Sequence, residues 1–225
     1  YDCVCGAPNA RLGLKTAFAK VGGSVPGLEI AKREVAGYVS EGMCCSEAEL
    51  GISDENSGIM ILDASFKNGT DLKEIFDIDD VVFEVDNKSL TNRPDLWGHY
   101  GIAREFSALT KRPLKPLSLG EVDYKGDRKI DVEIKRTDLV YRYSCLEISS
   151  IKENVSPMNM RIRLYYCGMR GINLLADLTN YIMLELGQPM HAFDATKIES
   201  IKVGTPESEL AFKTLDDVER KIDKD

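Results

Sequence analysis

Histidine and tryptophan are nearly absent from this sequence: 225 residues contain two His and one Trp. Six cysteines are present, at Cys3, Cys5, Cys44, Cys45, Cys145 and Cys167, but none forms a Cys-x-x-Cys pair. With so few imidazoles and no paired-thiol spacing, a structural zinc site is not expected. Adjacent Cys44 and Cys45 are not a usual disulfide pair, and reduced, buried thiols of a cytosolic protein are the better reading. No apolar run approaches the ~20 residues that span a bilayer. A basic surplus is missing as well. Lys and Arg number 29 against 37 Asp and Glu, for a net charge of −8. Grip on nucleic acid by counterion release calls for positive charge, so any such binding must come from a local patch. Residues 154–176 carry Arg161, Arg163 and Arg170 and no acid, a run that usually reads as a solvated helix face.

What is there is enough apolar material for real cores, 43% of residues, on a length that fits one large domain or two small ones. There is no internal repeat and no low-complexity tract. The chain opens at Tyr1 and closes on the charged run 219–225, and both ends read as boundaries within a longer polypeptide. Residues 1–62 are glycine-rich with short apolar runs, which is small-barrel texture. Asp2–Cys5 reads as a strand entering the turn Gly6-Ala7-Pro8-Asn9, and Val21–Gly27 as loop punctuation. In residues 42–51, Ser46 as N-cap, Glu49 as the partner of a capping box and Gly51 as stop predict a short helix. Ile59–Leu62 reads as a further strand.

From residue 63 the texture changes. Asp71 predicts the cap of a short helix to Phe76, and Val81–Val85 reads as a mostly buried strand. Thr91-Asn92-Arg93-Pro94-Asp95 follows, with Pro94 pre-setting φ at a helix start. Ile102, Ala103, Phe106 and Leu109 then recur at helical spacing and give one apolar face, and Arg112–Pro116 breaks it. Asn92, Arg93 and Asp95 could form a functional triad, but a structural corner is the better reading. Beyond residue 118, Ile130, Val132 and Ile134 alternate with acids as a half-exposed strand, and Tyr143–Ile148 reads as another. Ser156-Pro157 opens a helix with the stripe Met160, Leu164 and Cys167, stopped by Gly168. Asp177 reads as the cap of a second helix to Leu186, which Gly187 ends and Pro189 keeps from resuming. Strands and helices mix without a βαβ period, so the class is α+β.

Three stretches together resemble the β-subunit of bacterial-type phenylalanyl-tRNA synthetases. Val4–Asn9 with Ser40–Met43 and Glu49–Gly51 is similar to the OB-like tRNA-binding module of that family. Thr91–Asp95 with Gly101–Glu105 resembles the strand-turn-helix of its small N-terminal domain. The run 177–194, from Asp177-Leu178-Thr179-Asn180-Tyr181 to Gln188-Pro189-Met190-His191-Ala192-Phe193-Asp194, resembles the signature of its B3/B4 editing domain. The resemblance implies three parts: the C-terminal part of an OB-like module at 1–62, part of a small α+β domain at 63–117, and the N-terminal part of a mixed α/β editing domain at 118–225. It also implies that the leading strands of the barrel precede Tyr1. An OB-like barrel cut in this way exposes a sheet edge, so a well-ordered closed barrel is not expected here.

Editing answers a physical problem. An apolar pocket built for phenylalanine rejects the added hydroxyl of tyrosine by only about 10²-fold, so a second site must hydrolyse the wrong ester. By the resemblance, Thr179 and Asn180 line that second pocket and His191 holds or orients water against the aminoacyl carbonyl. A neutral imidazole can do either, and holding is favoured because no nearby carboxylate is identifiable. Without the motif, Thr179 and Asn180 would read as helix caps and His191 as a satisfied structural histidine. The family's pocket glutamate would lie beyond Asp225, so weak or no hydrolysis is expected of this stretch alone. Gly171 stands where proline is usual in the family, which loosens the loop entering the helix, and Asp217 stands where glycine is common in a hairpin.

The resemblance further implies a cytoplasmic enzyme whose aminoacylation site belongs to a partner α-subunit in a heterotetramer, with tRNA(Phe) as ligand. ATP and Mg2+ serve that whole enzyme, and no cofactor is expected in this stretch. Two alternatives stand beside it: a freestanding aminoacyl-tRNA editing hydrolase, and a tRNA-binding or scaffolding module with a vestigial pocket.

Overall fold

The computed structural model describes residues 1–126, 130–203, 210–214 and 219–222. The chain divides into two compact units, Tyr1–Ile102 with Glu153–Met190, and Ala103–Lys152 with His191–Asp225. The class is α+β, as the mixed pattern predicts, but the strands of the first unit close no barrel among the described residues.

In the first unit the strands are short and pair two by two. β1 (Lys15–Thr16) joins β8 (Ile61–Leu62), and β2 (Phe18–Lys20) joins β7 (Gly42–Cys44). β3 (Ser24–Val25) and β4 (Leu28–Glu29) form a hairpin, as do β5 (Arg33–Val35) and β6 (Tyr38–Ser40). All of these pairs are antiparallel. Asp2–Cys5 forms no strand; it runs along the β6–β7 connection, where Asp2 O accepts from Glu41 N at 2.7 Å and Ser40 Oγ from Val4 N at 3.1 Å. The expected helix at 46–51 is a series of turns, although its capping box is built. Glu49 Oε2 accepts from Ser46 N at 2.7 Å, and Ser46 Oγ accepts from Glu49 N at 3.2 Å. Reciprocal capping satisfies donors at a helix start, but here the chain turns away at Gly51 before a second turn can form.

α1 (Leu72–Ile75) is capped by Asp71, whose side chain accepts from Lys73 N. Pro94 starts a 3-10 turn, Pro94–Leu96, and α2 (His99–Thr110) follows. In the preceding corner Arg93 pairs with a carboxylate, as a structural role would have it: Arg93 Nε and Nη2 each donate to the Asp95 carboxylate at 2.9 Å. The buried strand expected at Val81–Val85 is absent. Those residues join no ladder, and Phe83 is 75% exposed. Alternating apolar residues make a strand only where another strand takes up their backbone groups.

α3 (Met158–Tyr166) and α4 (Leu174–Leu186) complete the first unit. α3 ends in a Schellman turn, with Met169 N donating to Leu164 O at 2.9 Å and Gly168 N to Tyr165 O at 2.9 Å. The expected stripe of Met160, Leu164 and Cys167 describes only half of this helix. Its opposite side, Met158, Ile162 and Tyr166, enters the unit's core with Ala17, Cys45, Ile52 and Met60. Ile162 and Leu164 are both 0% exposed. At roughly 25 cal/mol per Å² of apolar surface removed from water, a helix buried on two sides is a principal stabiliser of its unit.

The arginine run is a solvated face only in part: Arg163 and Arg170 are exposed, but Arg161 is not. Arg161 Nη1 and Nη2 meet Glu47 Oε1 and Oε2 at 3.1 and 2.6 Å, with the side chains only 19% and 9% exposed. Ser53 Oγ also donates to Glu47 at 2.7 Å. Arg163 pairs with Asp77 at 2.7 Å and donates to Tyr181 Oη at 3.0 Å.

The second unit is built on a sheet ordered β12-β11-β10-β9: β9 is Asp131–Ile134, β10 Ile198–Val203, β11 Leu210–Thr214 and β12 Glu219–Ile222. β9 alternates as predicted and runs parallel to β10, while the other pairs are antiparallel. Ile198, Ile201 and Val203 form its core, with Ile130, Val132, Ile134, Val140 and Tyr143 packed against them. The second expected strand, Tyr143–Ile148, does not form. The expectation for Asp217 lies outside the described residues. Among the described residues, no helix is long and apolar enough to cross a membrane.

Candidate functional site

The residues singled out at 179 and 180 sit on α4, and the local sequence explains how that helix is held. Asn173, not Asp177, is the N-cap: its Oδ1 accepts from Leu175 N at 3.1 Å and Ala176 N at 3.0 Å. Asp177 lies one turn inside and reaches backwards. Its Oδ1 accepts from Ile172 N at 2.7 Å and its Oδ2 from Ser156 Oγ at 2.5 Å. At 1% exposed, this carboxylate would be costly without partners; with them it fastens the loop entering α4 to the segment that opens α3. Both residue types suit a cap, and the asparagine four positions earlier holds it. A side chain at Gly171 would lie 3.6 Å from both Arg161 Nε and Asp177 Oδ2, ordinary contact, so space does not demand glycine there.

The C-terminal end of α4 is fixed differently. Gly187 adopts the left-handed conformation, φ 70°, and its N–H donates to Met183 O. Gly98 packs against this cap so closely that a Cβ on it would lie 2.7 Å from Leu186 C and overlap Gly187 N. Only glycine permits that approach. His99, next in the chain, places Nδ1 at 2.8 Å from Leu184 O and Nε2 at 3.8 Å from Cys167 Sγ. α4 is therefore held at both ends.

On this helix Thr179 and Asn180 are adjacent and half-buried. Thr179 Oγ1 donates to Ala176 O at 2.8 Å, which leaves the hydroxyl oxygen able to accept from a ligand. Because α4 starts at Leu174, both residues lie in the second turn. They cannot be caps, and the helix dipole, which acts mainly over the first turn, contributes less here than their expected place at the helix start implied. His191 belongs to the second unit. It is exposed, with its ring centroid 6.0 Å from that of Phe193. Nearby, Asp194 accepts from Thr196 Oγ1 at 2.6 Å and Thr196 N at 3.1 Å, and these bonds hold its carboxyl below the usual range.

One concavity escaped the sequence reading. The first unit has a groove of about 740 Å³ between the Val81–Val85 segment and the helices, with Phe83, Leu96, His99, Leu164 and Leu184 among its walls. A hint was available, since Leu164 and Leu184 fall on helix faces whose cover nothing in the sequence names. Among the described residues, no group of three or more His, Cys, Asp or Glu is placed to hold a metal ion.

Comparison with known proteins places this geometry in context. Residues 1–71 match the putative tRNA binding domain family, and residues 139–225 match the B3/4 domain family. These two domains on one chain define part of an aminoacyl-tRNA synthetase subunit. The sequence is 43% identical over 206 residues to the phenylalanine–tRNA ligase beta subunit of Pseudoalteromonas translucida, covering 90% of this chain and 26% of that protein. It is 38% identical over 223 residues to the beta subunit of Syntrophus aciditrophicus, covering 96% and 27%. Against that of Solibacter usitatus it is 40% identical over 222 residues, covering 98% and 27%. The chain belongs to the phenylalanine–tRNA ligase beta-subunit family, and it spans about a quarter of the length of these relatives.

Proposed function

We propose that this chain contributes tRNA binding and hydrolytic editing to a phenylalanine–tRNA ligase, inspecting tyrosyl-tRNA(Phe) made in error by a partner α-subunit. The observation that carries the reading is α4 itself, within the stretch that matches the B3/4 domain. Fastened at Asn173 and Asp177 at one end and at Gly187 at the other, it presents Thr179 and Asn180 with little freedom. Such rigidity suits a pocket that must tell a phenol from a phenyl ring, since a site built to hydrogen-bond the hydroxyl discriminates far better than an apolar one.

In this reading Thr179 and Asn180 contact the misacylated end of the tRNA. His191 holds the attacking water by hydrogen bonding as a neutral imidazole. ATP and Mg2+ serve aminoacylation in the cytoplasmic whole enzyme. Residues 1–71 supply tRNA contact through a local surface rather than bulk charge, given the net −8.

The test is His191→Ala in the complete α- and β-subunit enzyme. Deacylation of tyrosyl-tRNA(Phe) is expected to fall on the order of 10²-fold while phenylalanine charging keeps its rate. Unchanged deacylation would overturn the editing role and favour a scaffold with a vestigial pocket.

A further inference from the structure

The N-terminal segment and β7 bring two thiols together. Cys3 Sγ lies 4.0 Å from Cys44 Sγ and 3.4 Å from the carbonyl oxygen of Gly42. Both backbones that carry the closest pair are pinned. Asp2 and Val4 are bonded to Glu41 and Ser40, and Cys44 pairs with Phe18 across β2 and β7. The neighbouring thiol takes no part: Cys45 is 0% exposed within the core of the first unit.

We infer that Cys3 and Cys44 form an oxidative modification site, closing a disulfide between the N-terminal segment and β7 on exposure to a low-molecular-weight disulfide. A disulfide sulfur–sulfur bond is about 2.05 Å, so the two atoms, 4.0 Å apart, must approach by about 2 Å to bond. Entry is at Cys3, which is partly exposed. Burial and the neighbouring Cys3 push Cys44 up to about 12, so Cys44 rests as a thiol at neutral pH and resolves second. The Cys3 thiolate attacks one sulfur of the small disulfide and expels a thiolate. Cys44, giving up its proton, then attacks the Cys3 sulfur of the mixed disulfide and expels the other thiolate. The two protons lost by the protein end on the two small thiols, and the small disulfide is the oxidant reduced.

The product would tie residues 1–5 to β7 inside the stretch that matches the tRNA-binding domain. Cytosolic disulfides of this kind are typically transient and redox-sensing.

The probe is oxidised glutathione, applied to the native chain, followed by non-reducing tryptic digestion and mass spectrometry. Trypsin releases Cys3 in residues 1–11 and Cys44 in residues 34–67. A cross-link between these two peptides, lighter by two hydrogens, is expected. It should persist in the Cys5→Ser, Cys45→Ser double variant and vanish in Cys3→Ala. Protection of Cys45 from N-ethylmaleimide in Cys3→Ala reports that this variant still folds. A cross-link that survives Cys3→Ala, or glutathione adducts alone with no cross-link, would overturn the assignment.

Discussion

Helix α2 carries the cleaner amphipathic pattern, yet α3 is the helix that is buried. On α2, Ile102, Phe106 and Leu109 line up at helical spacing, but Phe106 is 55% and Leu109 75% exposed. On α3 the pattern is interrupted by Asn159, Arg161 and Arg163, but Ile162 and Leu164 are fully buried and even Arg161 is sequestered against Glu47. An apolar stripe records that a face tolerates burial. It does not record whether an element with a complementary face lies opposite, and for α3 that element is the strand cluster of residues 17–60. The same contrast separates Val81–Val85, strand-like but exposed, from β9, whose apolar positions meet β10.

This comparison can be broken by substitution. The largest effect is expected for Ile162→Ala, which opens a cavity in the core of the first unit and should cost about 3–5 kcal/mol, read as a lowered urea midpoint. Arg161→Ala strips the partner from a mostly buried Glu47. Breaking a fully buried pair costs up to ~5 kcal/mol, and the residual exposure of this one brings the expectation to about 3 kcal/mol. Double-mutant cycles with Glu47→Ala should then show strong coupling. Leu109→Ala is expected to change stability by no more than about 0.5 kcal/mol; a loss comparable to that of Ile162→Ala would mean that α2 is covered in solution, and the contrast would fail.

The candidate site divides along the same line. Capping chemistry was legible as a type of interaction but not always as an owner. Asp71 and Gly187 do what their residue types suggest, and the Ser46–Glu49 box forms without the helix it usually announces. Asp177, read as a cap, yields that place to Asn173 because its carboxylate is taken by Ile172 and Ser156. The Ser156 partner lies 21 residues away and could not be inferred from local spacing. Local spacing leaves Arg161 looking solvated, because its partner Glu47 is 114 residues distant.

By itself the sequence determined the α+β class, the ends of α3, the C-terminal end of α4, the alternation of β9 and, with the run 177–194 as its longest stretch, the family. Those features depend on residues within a few positions of one another, where spacing and capping chemistry act directly. Tertiary structure alone decided that α3 is buried on two sides, that Asp177 anchors rather than caps, that Val81–Val85 stays unpaired, and that Cys3 comes to face Cys44. Each of these depends on contacts between residues far apart in the chain, and burial, ion pairing and strand partnership are properties of such pairs.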